Sequence, residues 1–474
     1  GVYLDLGIAS TALGHFEEYV DLDTFDNKIR QMVGAKRNGI GYGGYREIRP
    51  LYTSDHFRDL GAEGPRWRTQ HLGLDIWSPA GEPVHAPWEG TVHSLQDNRG
   101  DRNYGATIIL EHHSGDLTFY TLYGHLSRNS LSGLAPDQQV KAGDCIAHTG
   151  AMSENGGWPP HLHFQIILDL HGWTGDFPGV AYASQIDIWS SNNPDPMLWI
   201  PPLAAAEAER RKNRRPDQTE LLHRRENVLG PNLSLSYRQP LHMQRGEMSY
   251  LIAADGRKYL DTVNNVAHAG HENKRVVRAG QNQMAVLNTN TRYLHPAIID
   301  CAEYLLAKAP RHLEVCYFVN SGSEANELAM RMARTITGRS RMAALDMGYH
   351  GNTQACVDVS SYKFNRKGGK GQPEHTLLLP RPDPYRGILA DHPGSDRTYA
   401  RDAMDRIRLW QQQEVTPAAL IAETIMSCGG QIVPPDDYFP AVYAAMHQAG
   451  GLCIADEVQH GLGRAGDYFF AFEK

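Results

Sequence analysis

Residues 71–81 read HLGLDIWSPAG, and residues 159–168 read PPHLHFQIIL. In an extended strand, alternate side chains share a face. In the first stretch His71, Gly73 and Asp75 therefore point one way, and Leu72, Leu74 and Ile76 the other. That polar face offers an imidazole and a carboxylate with only a glycine between them, which leaves room for an ion. In the second stretch His161 and His163 share a face opposite Leu162, Phe164 and Ile166. Zinc accepts imidazole and carboxylate ligands, and a catalytic zinc keeps three protein ligands with water in the fourth position. A single histidine on a strand is usually structural, and this chain has 23 of them. The zinc reading rests on the two motifs occurring together, separated by turn-rich β sequence.

Working outward, EGTVHSL (89–95), GATIILEHH (105–113) and LTFYTLYGHL (117–126) are rich in Val, Ile, Thr, Tyr and Phe. Gly, Asp, Asn and Pro punctuate them. This texture predicts a mostly antiparallel β domain over residues 66–200. Residues 1–65 are polar and Gly/Tyr-rich around GIGYGGYREIRPLY (39–52). They read as an approach segment, the end of an upstream region. That glycine run lacks the lysine of a phosphate-binding P-loop. Residues 201–222 open a proline-led, Ala-rich, charged stretch that reads as an exposed helical linker, its Arg/Lys cluster a solvated face.

From residue 223 to 474 helical and strand patterns alternate, which predicts a parallel α/β sheet. AIIDCAEYLLAKAP (297–310) reads as a helix and VCYFVNSG (315–322) as a strand entering a turn. EANELAMRMARTITG (324–338) reads as a helix stopped at Gly338. Ser321, Gly322 and Ser323 open that helix, where free N–H groups and hydroxyls suit a phosphate, although Ser-Gly-Ser is equally a good N-cap. GYHGN (348–352) puts Tyr349 and His350 beside a glycine, able to stack on a flat ring. IADEVQ (454–459) ends an apolar strand at Asp456 and Glu457, the end of a sheet where ligands sit, and a buried Asp there pairs with a protonated pyridine nitrogen.

From about Arg66 to Leu168 the chain resembles the lysostaphin-like (β-lytic, peptidoglycan endopeptidase) zinc metallopeptidase family. The family's H-x-x-x-D is matched by His71 and Asp75, its H-x-H by His161 and His163, and its Y-x-H-L by Tyr123–Leu126. SPAGEPVHAPWEGTV (78–92) and QQVKAGDCIAHTG (138–150) are similar to family phrases as well. The resemblance implies that His71, Asp75 and His163 hold Zn2+, while His125 and His161 handle protons in hydrolysis of a peptide. AMSENGGWPP (151–160) departs from the family's Gly/Thr-rich run there. A rival reading remains open, in which the peptidase fold is a non-catalytic binding module beside an ordinary transaminase.

From about Arg224 onward the chain resembles the class-III aminotransferases, pyridoxal 5'-phosphate enzymes of fold type I, and within them the ethanolamine-phosphate phospho-lyase branch. LGPNLSLSY (229–237), YLDTVNNVAH (259–268), LNTNTRYLH (287–295), CYFVNSGSEAN (316–326), SYKF (361–364), SCGGQIVPPDDYF (427–439) and IADEVQHGLGRAG (454–466) carry it. The resemblance implies that Ser321, Gly322 and Ser323 bind the cofactor phosphate and that Tyr349 and His350 contact its ring. It implies that Asp456 holds the pyridinium nitrogen, with Glu423, Val458 and Gln459 around it. It also implies a small amine or phospho-amine substrate and a homodimer. Relatives usually carry His-Pro where this chain has Asn273-Lys274. The family's cofactor-binding lysine lies beyond the position of Asp456, where this sequence has only Lys474. The expectation is an incomplete, truncated aminotransferase domain that holds the cofactor weakly.

Composition bounds the rest. With 474 residues, 41% of them hydrophobic, the chain is long enough for two or three domains with real cores. A formal net charge of −8 argues against nucleic acid as a partner. No apolar run of transmembrane length and no signal peptide are legible, so the expectation is a cytoplasmic protein with no membrane partner. Six scattered cysteines without a C-x-x-C pair read as reduced, mostly buried thiols.

Overall fold

A computed structural model of the chain describes residues 1–34, 39–61, 64–212, 217–263, 268–389 and 398–474, with side chains omitted at 207–212. The basic cluster at 210–215 and four residues of the 259–268 phrase (264–267) lie outside the described side chains or residues. The chain divides into two compact units, Gly1–Leu287 and Asn288–Lys474.

The first unit is built on an eight-stranded sheet. Its strands are β1 (Val2–Tyr3), β2 (Gly41–Gly43), β3 (Leu74–Trp77), β4 (Gly90–Asn98), β5 (Gly105–Ser114), β6 (Leu117–Leu126), β7 (Gln139–Val140) and β8 (His161–Ile167). They lie in the order β1-β2-β3-β8-β6-β5-β4-β7. Only β1 and β2 run parallel; the other neighbours are antiparallel. Hairpin connections of this kind suit short β-rich runs with turns between them. Both faces of β5 are covered. Ile108 and Leu110 pack with Tyr123 and Phe164 on one side, and Ile109 packs with Leu122, Ile167 and Phe177 on the other.

Residues 1–57 join this sheet through β1 and β2. They also supply α1 (Leu22–Val33), capped by Asp21, whose carboxylate accepts from the Thr24 N–H at 2.8 Å. The helix buries Phe25 and Ile29, one turn apart, in a cluster with Leu4, Leu6, Leu51, Tyr52 and Phe57. Trp77 and Trp158 of the sheet domain belong to that same cluster, so the segment and the sheet share one core.

Residues 71–75 do not form one continuous strand. Gln70–His71 is a short strand paired with Val180–Ala181, and β3 starts afresh at Leu74. The interruption falls at Gly73, where an added Cβ would stand 2.6 Å from the His163 ring. Glycine is needed for that close approach, so the space beside Gly73 receives an imidazole.

The second unit holds four parallel strands, β9 (Met342–Leu345), β10 (Thr376–Leu379), β11 (Ala419–Glu423) and β12 (Leu452–Asp456), in the order β10-β9-β11-β12. Helix α2 (Gly322–Thr337) is capped by Ser321 and ends at Gly338 in the left-handed conformation. The strand expected at residues 315–322 does not form. Val315, Tyr317, Phe318 and Val319 are exposed, and no strand runs beside them among the described residues. A β-type sequence gains its stability from packing and ladder partners, which this run lacks. The thiols are also less buried than expected. Cys356 is buried, Cys145 and Cys301 are exposed, and the other three are intermediate. Cys145 alternates with buried Ile146 on an outer strand, which turns it to solvent.

Candidate functional site

Pairing of β3 with β8 sets Asp75 opposite His163, and pairing of β8 with β6 sets His163 opposite Gly124. His71 reaches the same point from its separate short strand. Three donor atoms converge there. His71 Nε2 is 2.9 Å from His163 Nδ1, His163 Nδ1 is 3.1 Å from Asp75 Oδ1, and His71 Nε2 is 3.2 Å from Asp75 Oδ1. Ligands about 2.0–2.2 Å from a tetrahedral zinc lie roughly 3.3–3.6 Å from one another, so this set fits one such ion after the donors spread by a few tenths of an ångström. Among the described residues it is the one His/Cys/Asp/Glu cluster that could hold a metal.

The second row of contacts fixes which nitrogen of each ring carries its proton. The Gly44 carbonyl takes the His71 Nδ1–H at 3.1 Å, which leaves the Nε2 lone pair facing the cluster. The Gln165 side-chain carbonyl takes the His163 Nε2–H at 2.9 Å, which leaves Nδ1. Gln165 cannot flip, because its amide nitrogen donates to the Pro178 carbonyl and to Asn193 Oδ1. Arg49 binds the other oxygen of Asp75 at 2.6 Å in a buried pair, and also the partly buried Glu47 at 2.6 Å. Burial alone would raise the Asp75 carboxyl. The adjoining His71 and the Arg49 guanidinium more than offset that and hold it well below the usual carboxylate range. Burial first, and then Arg49, push His71 down to about 4.

His125 and His161 stand beside this cluster with ring centres 4.2 Å apart. His125 sits where the register of β6 slips between Tyr123 and Leu126, and its φ is 62°. A left-handed backbone is costly for a non-glycine residue. Here it is held by the bonds from His125 N to the Tyr104 carbonyl and from Gly150 N to the His125 carbonyl. The Asn155 carbonyl takes the His125 Nδ1–H at 2.9 Å, and the Pro159 carbonyl takes that of His161 at 2.7 Å. Each therefore offers Nε2 as an acceptor, and His161 Nε2 lies 3.8 Å from Asp75 Oδ1. Burial, reinforced by the neighbouring imidazoles, keeps His125 well below the ordinary histidine range.

Sequence reading overlooked Gly44, Arg49, Asn155 and Gln165. Of these, Gln165 carried a signal, since the period of two that joins His161 to His163 extends to it. Gly44 and Arg49 come from the stretch read as mere approach structure.

In the second unit, the ends of β11 and β12 place Glu423 opposite Asp456. Asp456 accepts from Asn326 at 2.8 Å, from His350 Nδ1 at 2.8 Å and from the Val458 N–H at 3.1 Å. Burial would raise its pKa, but the His350 bond and charge outweigh that and hold it below the carboxylate norm. His350 is thus fixed on Asp456, while Tyr349 packs edge-on to Tyr362 and has Lys363 Nζ 5.3 Å from its ring centre. Ser321 Oγ accepts from Glu324 N, and Ser323 Oγ from Asn352 N. Gly322 faces Val458 so closely that a Cβ would stand 2.7 Å from it, which brings the phosphate-type turn beside the end of β12. Glu423 receives the Tyr349 N–H and the Ser427 hydroxyl, and Gln459 follows in the turn after β12. Asn273, in the departing phrase, caps the helix that begins at Lys274, and Lys274 pairs with Glu17.

Comparison with known proteins gives two family matches: Peptidase family M23 over residues 69–173 and Aminotransferase class-III over residues 234–474. An alanine–glyoxylate aminotransferase 2-like protein of Drosophila melanogaster is 46% identical over 261 residues, covering 54% of this chain and 53% of that protein. Ethanolamine-phosphate phospho-lyase homolog 1 of Caenorhabditis elegans is 36% identical over 265 residues, covering 54% of this chain and 56% of that protein. Among solved structures, a phospholyase from Arthrobacter in complex with phosphoethanolamine is 35% identical, with a TM-score of 0.49, covering 53% of this chain and 59% of that one. The chain spans about half the length of the curated relatives it matches. M23 peptidases are zinc-dependent and class-III aminotransferases use pyridoxal phosphate. No described helix is long and apolar enough to cross a membrane. The chain belongs to the class-III aminotransferase family through residues 234–474, and ahead of them it carries a segment of peptidase family M23.

Proposed function

We propose that residues 66–200, completed by residues 39–57, hydrolyse an amide bond with one zinc held by His71, Asp75 and His163. The observation that carries this reading is the convergence of three donor atoms, with the two histidine N–H groups turned outward to carbonyls and Asp75 held by Arg49. Zinc bound there supplies a Lewis acid and a water whose pKa falls to about 7. The chain's own groups do the rest. Arg49 orients Asp75, Gln165 orients His163, and the Nε2 atoms of His125 and His161 accept and return the proton beside the reacting carbon.

The test is elemental analysis together with amide cleavage by the purified chain. One variant isolates the orienting shell. Gln165→Met keeps the volume and removes the acceptor of the His163 Nε2–H. Zinc affinity should fall about 10- to 100-fold, the scale for losing such a partner, with the fold intact by circular dichroism. Unchanged affinity would show that Gln165 does not set the His163 tautomer.

For residues 223–474, following the charged linker at 201–222, the proposal is amine chemistry with pyridoxal phosphate. Asp456 would face the pyridine nitrogen, Ser321, Gly322 and Ser323 the phosphate, and Tyr349 the ring. When bound, the cofactor supplies an electron sink for the substrate carbon. His350 and Asn326 keep Asp456 ionised and oriented toward it. The relatives carry both names, an aminotransferase-like protein and a phospho-lyase homolog, and the phrases that resemble the phospho-lyase branch favour phosphate elimination from a phospho-amine. Release of phosphate and ammonia from ethanolamine phosphate, against amino transfer to a keto acid, separates the two. Exposed Leu294, Tyr304, Tyr317 and Phe318 offer an apolar surface to a second copy, supporting a homodimer. Asp456→Asn should weaken pyridoxal-phosphate binding about tenfold or more in an absorbance titration, and equal affinity would remove Asp456 from the cofactor site.

A further inference from the structure

We propose that the His71–Asp75–His163 site admits a substrate of one or two amino-acid residues and excludes an extended polypeptide. This rests on the amide-hydrolase reading above and adds the substrate's size and character. All five site residues are almost fully covered: His71, Asp75 and His163 are 2% exposed, His161 5% and His125 6%. What covers them is the segment 1–57 together with the rings of the sheet domain. A cavity of about 190 Å³ remains over the site, walled by Phe25, Tyr52 and Phe57 from the segment and by Trp158, Trp173 and Phe177 from the domain. A cavity of about 150 Å³ takes a molecule the size of benzene, so this one takes a short, partly apolar molecule. A peptide crossing the site would need about 3.3 Å of open groove per residue on each side.

The wall is part of the fold. Leu6, Phe25, Leu51, Tyr52 and Phe57 share one buried cluster with Trp77 and Trp158. Arg102, stacked over Trp158, donates to the carbonyls of Leu51 at 2.7 Å and Val20 at 2.9 Å and so ties the segment down. The Glu47–Arg49–Asp75 chain ties it to the metal ligand itself. Swinging the segment aside would break the Arg49–Asp75 pair and open the shared apolar cluster to water. The cavity is not purely apolar. Arg49 and the Tyr52 phenol both line it, and burial raises the phenol above its usual range, so it stays a protonated polar group. These two groups offer polar contacts to an oxygen of the substrate. The geometry therefore assigns a dipeptide or an N-acyl amino acid with an apolar side chain.

The experiment uses the zinc-loaded full chain. Apolar dipeptides and N-acetyl amino acids are compared with the same bonds placed centrally in decapeptides. In parallel, calorimetry compares benzohydroxamate with a hydroxamate carrying a tripeptide, and hydrogen exchange follows residues 4–25. The small substrates should be cut at least about 100-fold faster in kcat/KM. Benzohydroxamate should bind and the long hydroxamate should not, with exchange over 4–25 unchanged. Trp173→Ala, which opens a wall residue that is 46% exposed, should narrow the difference. Decapeptides cut as fast as dipeptides would overturn the size limit, as would binding of the long hydroxamate with faster exchange over 4–25. If zinc binds and benzohydroxamate alone is accepted but nothing is cleaved, the size limit stands and the hydrolase reading falls. If neither hydroxamate binds and nothing is cleaved, both fall.

Discussion

His163→Ala in the full chain is expected to lose its metal, from about one zinc per chain to below a tenth, and amide hydrolysis with it. Three donors hold the ion in this reading, and a structural or catalytic zinc needs at least three from the protein. Loss of a partner one shell further out already costs 10- to 100-fold in affinity. Removing a ligand outright costs more, because no neighbour can replace it. Gln165 is committed to Asn193 and Pro178, and Tyr104 Oη is 3.4 Å from the far side of the His163 ring. Asp75→Ala should act in the same direction and additionally strip Arg49 of one of its two carboxylates. The double variant should retain no zinc by elemental analysis after dialysis. Full occupancy in that variant would rule out the ligand set. Thermal unfolding of each single variant separates metal loss from a damaged sheet, since His163 lies on a central strand opposite Asp75 and Gly124.

The zinc constellation was legible because a period of two is local. His161, His163 and Gln165 alternate along a single strand, so their common face can be read from five residues. The continuity of residues 71–75 could not be read the same way. The break at Gly73 is imposed by the His163 ring, ninety positions away in the chain. Arg49 was invisible for a similar reason. Its contact with Asp75 depends on residues 48–49 lying beside Thr69 and Gln70, and nothing in GIGYGGYREIRPLY states that register. The same holds in the second unit, where Asp456 meets Asn326 and His350 across 130 and 106 positions. There a family resemblance named residues that periodicity alone could not bring together. The misread run at 315–322 shows the opposite limit: composition favoured a strand, but a strand also requires a neighbour.

His125→Ala and His161→Ala should each keep the zinc and lose on the order of 10²- to 10⁴-fold in kcat/KM, the range for removing a proton-transfer group. The structure gives both rings the attributes of such a group. Each has its Nδ1–H spent on a backbone carbonyl, so Nε2 is an acceptor aimed away from the backbone. Burial drives both below the usual histidine range, and for His125 the adjacent His161 adds to it, so the lone pair is available at neutral pH. His161 is stacked on Trp77 and stands 3.8 Å from the metal-facing oxygen of Asp75, too far to join the donor set without a shift. His125 holds its position with a left-handed backbone at a register slip where glycine would be easier, a strain consistent with a functional side chain. His125→Gly is therefore a useful companion: it relieves the strain, so stability should hold or rise while activity falls as far as in His125→Ala. Loss of zinc in His125→Ala would reassign that residue to the metal, and wild-type kcat/KM in either variant would remove it from proton transfer.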